Sequence, residues 1–114
     1  MYRIIVYKRH YDKFFKKLSV GEKRKFLDIL MVFSSGKRIP PQCIKYLLDG
    51  IYEFRVAFMG NALRLFFIYD GADIIVLLNG FKKNSQKTPR REMEQAIKLK
   101  EAYYVEKEKE AIVL

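Results

Sequence analysis

Apolar and polar positions repeat with helical spacing near the start of the chain, after one short strand-like segment. Residues 2–7 are mostly β-branched or aromatic, a composition typical of a strand. Between residues 11 and 18, apolar side chains recur three and four positions apart and predict an amphipathic helix. Ser19 and Glu22 then form a Ser-x-x-Glu capping box, which satisfies free amide groups at a new helix start. We therefore expect a second helix that begins just after Ser19 and ends at residues 34–36, so that the two helices form a hairpin.

Strand-like alternation dominates the middle of the chain. The prolines and the Asp-Gly pair within residues 37–50 predict an irregular connection. A Gly-Asn turn and an Asp-Gly-Ala-Asp turn then separate three predicted strands, namely Ile51–Phe58, Leu63–Tyr69 and Ile74–Asn79. The last two strands are apolar on both faces, as central strands are when each side is covered. The three strands predict an antiparallel meander.

A C-terminal helix completes the predicted fold. Thr88 followed by Pro89 is typical of a helix start, because threonine caps the free amides and proline suits the first helical position. The predicted order is β-α-α-β-β-β-α, an α+β fold in which an antiparallel sheet packs on the N-terminal helical hairpin. A length of 114 residues with 50% hydrophobic content fits one domain over residues 1–114.

The turns predict which side chains share a face of the sheet. If Gly60-Asn61 is a two-residue loop, residue 57 pairs with Arg64, and Arg64 lies diagonal to Arg55. The second turn has two possible two-residue loops, and either one places Asn79 on the same face as Arg64. A three-residue loop would place Asn79 on the opposite face. The opposite face then carries an aromatic set suited to packing on two helices, namely Tyr52, Phe54, Val56 and Phe58.

Charge indicates the class of partner. The formal net charge is +10, and residues 92–114 carry six acidic and four basic side chains, so the excess comes from the preceding part of the chain. Such a basic balance favours a polyanionic partner such as nucleic acid. A single cysteine, Cys43, forms no internal disulfide, and no apolar run approaches the length of a membrane span. We expect a cytoplasmic protein with no membrane partner.

Basic residues concentrate around the end of the third meander strand. Arg55, Arg64 and Asn79 are expected on one sheet face, from which the chain continues into Phe81. Between Asn79 and Arg91 there is no acidic residue and there are five basic ones: Lys82, Lys83, Lys87, Arg90 and Arg91. Guanidinium forks and ammonium groups match phosphate oxygens, so this face predicts phosphate binding. An alternative interpretation pairs Arg55 with Glu53, Asp70 or Asp73.

Other site chemistries find no support in the sequence. There is no Cys/His cluster for zinc, no glycine-rich phosphate loop and no serine near a usable base, so we expect neither a metal nor a cofactor. The only histidine is His10, at the start of the first predicted helix. We expect it at the surface or in a helix cap, far from the basic sheet.

Three segments together resemble the pattern of HigB-like toxins of the RelE/ParE superfamily of bacterial and phage toxin-antitoxin modules. They are Leu48-Asp49-Gly50 with Ile51–Arg55, Leu63–Phe67, and the stretch Asn79–Pro89 that contains Phe81-Lys82-Lys83 and Thr88-Pro89. The resemblance covers residues 1 to about 104 in element order. It departs from the common pattern at Phe54, where a leucine usually precedes the arginine.

The resemblance implies a metal-independent endoribonuclease that cleaves mRNA on the ribosome and is silenced by a cognate antitoxin, often a helix-turn-helix protein. It implies that Arg55 and Arg64 hold the scissile phosphate and that Lys82 or Lys83 transfers a proton. Tyr104, or its neighbour Tyr103, is the candidate acid in the tail. The candidate RNA-binding residues are Asn79, Phe81, Lys87, Arg90 and Arg91.

Two other functions stay open at this point. One is a non-catalytic inhibitor of DNA gyrase on the same scaffold, as in the ParE branch, although the retained arginines and lysines argue against it. The other is an RNA-binding phage accessory protein that binds without cutting, for which steep salt dependence without products is expected.

Overall fold

A computed structural model of the chain describes residues 1–83 and 88–112. The fold is α+β, as predicted, with five strands and three α-helices. The elements in chain order are β1 (Arg3–Val6), α1 (His10–Lys16), α2 (Val20–Ser34), β2 (Ile44–Leu48), β3 (Ile51–Phe58), β4 (Asn61–Asp70), β5 (Ile74–Lys83) and α3 (Arg90–Ile112).

The strands form one sheet in the order β1-β5-β4-β3-β2. Neighbouring strands from β2 to β5 are antiparallel, which confirms the predicted meander. β1 instead runs parallel to β5, with Arg3 opposite Ile74. The predicted antiparallel sheet therefore holds for β2 to β5. The partner of β1 was not predicted, because the pattern of a short strand carries no information about its pairing partner.

The connection at residues 37–50 is more regular than expected. After a short 3₁₀ helix at Pro41–Cys43, the chain forms the edge strand β2, whose Ile44 pairs with Phe54. The prediction of an irregular connection was wrong for this segment. Its two prolines precede the strand, and the strand is fixed by its ladder with β3 and not by a local signal.

The start of α2 follows the predicted capping box. The side chain of Ser19 accepts a hydrogen bond from the main-chain amide of Glu22 at 3.2 Å, and the Glu22 carboxylate accepts one from the Ser19 amide at 2.8 Å. Two otherwise unpaired amides are thereby satisfied, which fixes where α2 begins.

Both faces of the sheet are covered, as the apolar character of the last two meander strands predicts. On one face, Phe26 and Phe33 of α2 pack against Phe54 of β3 in a shared aromatic core. On the other face, α3 covers β4 and β5, and its Ala96 is fully buried beside Phe66. The helical hairpin and α3 therefore enclose the sheet between them.

The β3–β4 turn sets the relation of the two arginines. Its loop residues are Met59 and Gly60, both with positive φ (49° and 82°), and Asn61 already lies in β4 opposite Phe58. Met59 and Gly60 thus adopt the left-handed backbone typical of tight hairpins. The register differs by two residues from the predicted one, so each side chain lies on the expected face. Arg64 lies directly opposite Arg55, however, and not diagonal to it.

The second turn combines a longer loop with a bulge. Asp70 pairs with Ile74, which leaves a three-residue loop and turns each side chain at the start of β5 to the face opposite the predicted one. Further along, Leu65 pairs with Gly80 and Phe67 with Leu77, so a bulge adds one residue to β5. Beyond this bulge the side chains lie on the predicted faces again. Asn79 consequently shares the α3 face with Arg64, as predicted, although neither predicted two-residue loop is present.

Candidate nucleic-acid site

A row of three residues crosses β3, β4 and β5 on the face covered by α3. Arg55 lies opposite Arg64, and Arg64 lies opposite Phe81. Directly opposed residues of an antiparallel pair point to the same side of a sheet. With neighbouring strands about 4.8 Å apart, the backbone of the row spans roughly 10 Å. We call Arg55, Arg64 and Phe81 the arginine row.

One buried carboxylate lies beside both arginines of this row. Glu53 Oε1 is 3.2 Å from Arg55 Nε and 3.7 Å from Arg64 Nε. Glu53 Oε2 accepts a hydrogen bond from the Thr88 hydroxyl at 2.9 Å. The alternative in which Arg55 pairs with Glu53 is therefore realised, along β3 itself. It does not neutralise the site, because one carboxylate faces two guanidinium groups.

The two arginines differ in exposure. The Arg64 side chain is 6% exposed, and that of Arg55 is 21% exposed. Burial lowers the pKa of Arg64, and the neighbouring charge of Arg55 lowers it further, while Glu53 acts in the opposite direction. Arginine remains charged at neutral pH despite such shifts, so the site keeps its positive charge.

Asn79 connects the sheet to the first turn of α3. Its amide nitrogen donates to the main-chain oxygen of Glu92 at 3.0 Å and to the Glu92 carboxylate at 3.2 Å. The residue is 3% exposed, and its Oδ1 atom has no hydrogen-bond partner among the described residues. Asn79 thus holds the start of α3 next to the arginine row.

Lys82 lies on the opposite face of the sheet. Its ammonium group is 3.0 Å from Glu22 Oε2, at the start of α2, and its strand partner is Leu63. The predicted convergence of Lys82 with the two arginines is therefore wrong, because the alternation of β5 turns it toward the helical hairpin. Lys83 ends β5 opposite Ala62, and its side chain lies outside the described part of the structure, as does Lys87.

The tail tyrosines lie at the other end of the sheet. Tyr103 donates a hydrogen bond to Asp70, and the hydroxyl of Tyr104 lies 3.5 Å from the main-chain oxygen of Tyr69. Burial, followed by the bond to Asp70, raises the pKa of Tyr103. Tyr69 is five residues along β4 from Arg64, which corresponds to roughly 17 Å of strand. The structure does not bring Tyr104 together with the arginine row.

His10 lies next to the basic sheet, contrary to expectation. It lines a cleft of about 580 Å³ between α1, the end of β5 and the start of α3. Its Nε2 atom is 3.3 Å from the side-chain nitrogen of Gln95, and its Nδ1 atom is buried with no partner in the described residues. The position on α1 was readable from sequence, but the packing of α1 against β5 was not, since no local signal fixes it. We call this cavity the edge cleft.

The two arginines at the start of α3 have different surroundings. Arg91 lines the edge cleft. The Arg90 side chain is 93% exposed and forms an ion pair with Glu94 at 3.2 Å, one helical turn further on. Among the predicted RNA-binding residues, the structure therefore brings Asn79, Phe81 and Arg91 together, while Arg90 lies at the surface of α3.

The described residues contain neither a metal-binding cluster nor a membrane-spanning helix. Within residues 1–83 and 88–112, no group of three or more His, Cys, Asp or Glu side chains is placed to hold a metal ion. No helix within those ranges combines the length and apolar character needed to cross a membrane.

Comparison with known proteins identifies one family. Residues 13–101 match the family described as phage-derived protein Gp49-like (DUF891). The matched region begins within α1 and ends within α3, so it includes the arginine row and most of the edge cleft. No curated protein matches the chain.

Proposed function

The chain belongs to the Gp49-like phage-derived family, a toxin-like family of the RelE/HigB type, and from this premise we propose that it is the toxin of a type II toxin-antitoxin module. Its proposed activity is metal-independent cleavage of mRNA on the ribosome. The observation that carries the proposal is the arginine row, in which two opposed arginines share a single buried carboxylate.

The arginine row suits a phosphate whose negative charge increases during the reaction. Cleavage of RNA without a metal uses the 2′-hydroxyl as nucleophile and passes through a dianionic phosphorane. Guanidinium groups that are already in place before the reaction stabilise such charge without having to reorganise. Arg55 is the more exposed of the pair and is assigned the direct contact, while the buried Arg64 holds Glu53 and contributes positive potential.

Proton transfer in this proposal falls to Lys83. The candidates implied by the family resemblance were Lys82, Lys83 and the tail tyrosines. Lys82 is bound to Glu22 on the other face, and Tyr104 lies at the far end of β4. The proposal therefore assigns the proton transfer to Lys83, which directly follows Lys82 in sequence.

The proposal includes two macromolecular partners. A ribosome would present the message in a fixed geometry to a site that holds few side chains suited to proton transfer. A cognate antitoxin, of the helix-turn-helix type in many such modules, would neutralise the toxin in the cytoplasm. The net charge of +10 supports an acidic surface on the antitoxin segment that covers the site.

Induced expression in a bacterial host, with mapping of mRNA 5′ ends, tests the proposal. We expect growth arrest and in-frame cleavage for the wild-type chain, and loss of both for Arg55→Gln and for Lys83→Gln. Arg38→Gln, an exposed change of the same charge in the α2–β2 connection, serves as the control and should leave both unchanged. Circular dichroism of each purified variant establishes that it is folded.

The other results of that experiment point to other functions. Arrest without new 5′ ends would contradict the nuclease and favour a binding inhibitor such as a ParE-like gyrase poison. RNA binding that depends steeply on salt, with neither arrest nor products, would favour an accessory RNA-binding protein.

A further inference from the structure

The edge cleft combines a cationic rim with an apolar floor. Lys13 of α1 and Lys17, the residue directly after α1, are four positions apart, and Arg91 of α3 lines the same cleft. The floor includes Phe14, whose ring lies against Gly80 so closely that an added Cβ there would be 2.6 Å from it. A volume of about 580 Å³ falls within the range of about 300–1,000 Å³ that is usual for small-ligand sites.

The acidic side chain that lines the cleft already has a hydrogen-bond partner. The acidic residue among the described lining residues is Glu92, whose carboxylate accepts a hydrogen bond from Asn79. Lys82 also lines the cleft and is paired with Glu22, so the lining residues include four cationic side chains and one carboxylate, which has a partner. The resulting potential favours an anion in the cleft.

Polar groups without partners lie in the wall of the cleft. Asn79 is only 3% exposed, and its Oδ1 atom has no hydrogen-bond partner within the described residues. The Nδ1 atom of His10, which lines the cleft from α1, is likewise buried without a partner in the described residues. Buried polar atoms are normally paired, so these two atoms are available to a ligand with complementary groups.

The edge cleft is continuous with the arginine row. Phe81 belongs to both, since it pairs with Arg64 on β4 and lines the cleft on β5. Neighbouring phosphates along a single RNA strand are separated by one nucleotide, so a strand whose phosphate contacts Arg55 reaches the cleft with the next base. Aromatic side chains stack on bases whatever their identity.

We propose that the edge cleft binds the nucleotide adjacent to the phosphate held by the arginine row. Its base lies against Phe81 with its edge toward Asn79 and His10, and its phosphate contacts Lys13 and Lys17. The ligand class is single-stranded RNA, and this identity rests on the proposed function. The binding itself requires no cleavage, which separates the two proposals experimentally.

Binding of a short 2′-O-methyl RNA oligonucleotide tests the cleft, because the probe lacks the nucleophilic hydroxyl and reports no chemistry. NMR of the wild-type protein should show shifts of the His10 ring and of the amides of Asn79 and Phe81. In a titration at several salt concentrations, Lys13→Gln/Lys17→Gln should bind at least tenfold more weakly. The salt slope should fall by about 0.7 for each phosphate that the variant no longer neutralises.

The matched control is Lys16→Gln/Lys25→Gln, which removes the same charge from exposed positions of the hairpin outside the cleft. It should retain affinity within twofold. Equal weakening by the two double variants would overturn the proposal, since it would mean that only net charge matters. NMR shifts confined to Arg55 and its neighbours would overturn it as well. Failure of the proposed nuclease would instead appear as absent cleavage with cleft binding intact.

Discussion

Arg55 and Arg64 lie directly opposite each other on neighbouring antiparallel strands, and both lie within 4 Å of the same oxygen of Glu53. Like charges at opposed positions of a sheet repel. The carboxylate that offsets this repulsion is fully buried and is held from its other oxygen by Thr88. Glu53 thus ties β3, β4 and the segment before α3 together beneath a surface that keeps a net positive charge.

Replacing Glu53 tests this arrangement. Glu53→Gln leaves two neighbouring guanidinium groups without the carboxylate near both, and removing one partner of a buried ion pair is strongly destabilising. We expect the free energy of unfolding to fall by about 3–5 kcal/mol, as measured by urea denaturation. Glu94→Gln, which removes an exposed pair with Arg90, should cost less than about 0.5 kcal/mol. Equal losses in the two variants would contradict the role of Glu53.

Gly80 is a second position where the structure sets a sharp limit. A Cβ at this residue would lie 2.6 Å from the ring of Phe14 and 2.8 Å from the main-chain oxygen of Arg64. The oxygen belongs to the sheet and has little freedom to move, so we expect Gly80→Ala to cost about 3 kcal/mol, near the upper end for overpacking.

The control for Gly80 is Gly71, which has positive φ (75°) but no neighbouring atom within 4 Å of an added Cβ. Gly71→Ala pays only for the left-handed backbone, about 1 kcal/mol. In thermal unfolding, the midpoint temperature of Gly80→Ala should be clearly lower than that of Gly71→Ala. The opposite order would mean that Phe14 does not lie over Gly80.

Local signals predicted most elements of the fold. The capping box at Ser19 located the start of α2, and the alternation over Ile51–Phe58 gave the bounds of β3. β2 was missed because it is determined by its pairing with β3 and has no strong local sequence pattern. Pairing of β1 with β5 was likewise beyond reach, since partner choice among strands depends on the packing of the whole chain.

The candidate site was predicted in part, and the errors have geometric causes. Parity arguments placed Arg64 and Asn79 on one face correctly, although the β4–β5 connection reaches that result through a longer loop and a bulge. The expected convergence of Lys82 with the arginines was wrong, since Lys82 directly follows Phe81 in β5 and the alternation of the strand turns it to the hairpin. His10 was assigned away from the sheet because its proximity results from α1 packing on β5, which sequence spacing does not encode.

The position of Tyr104 gives a prediction about activity. Its hydroxyl faces the main-chain oxygen of Tyr69, roughly 17 Å along β4 from Arg64. If the proposed nuclease uses the arginine row, Tyr104→Phe should cleave ribosome-bound mRNA at a rate within about twofold of wild type, well under the 10²–10⁴-fold loss that removal of a general acid causes. Single-turnover cleavage assays measure this rate, with Arg55→Gln as the inactive comparison. A hundredfold lower cleavage rate for Tyr104→Phe would contradict this prediction and show that the tyrosine takes part in the reaction.

Glu22 links the stability of the fold to pH. The hydrogen bond from the Ser19 amide, with those from Lys82 and Asn61, lowers the pKa of Glu22 from its ordinary value of 4.5 to about 2 against the opposing effect of burial. A carboxyl group whose pKa is lower in the folded state stabilises that state above its unfolded pKa. This stabilisation is lost as the pH falls from about 4.5 toward 2.

Urea denaturation of wild type and Glu22→Gln across this pH range measures the effect. We expect the wild type to be more stable near neutral pH and the difference between the two to shrink steadily below about pH 4.5. Asp28→Asn, at an exposed position of the same helix, is the control and should change the free energy of unfolding only slightly. A Glu22→Gln difference that stays constant down to about pH 2 would show that the carboxylate contributes packing and hydrogen bonds but no charge-dependent stability.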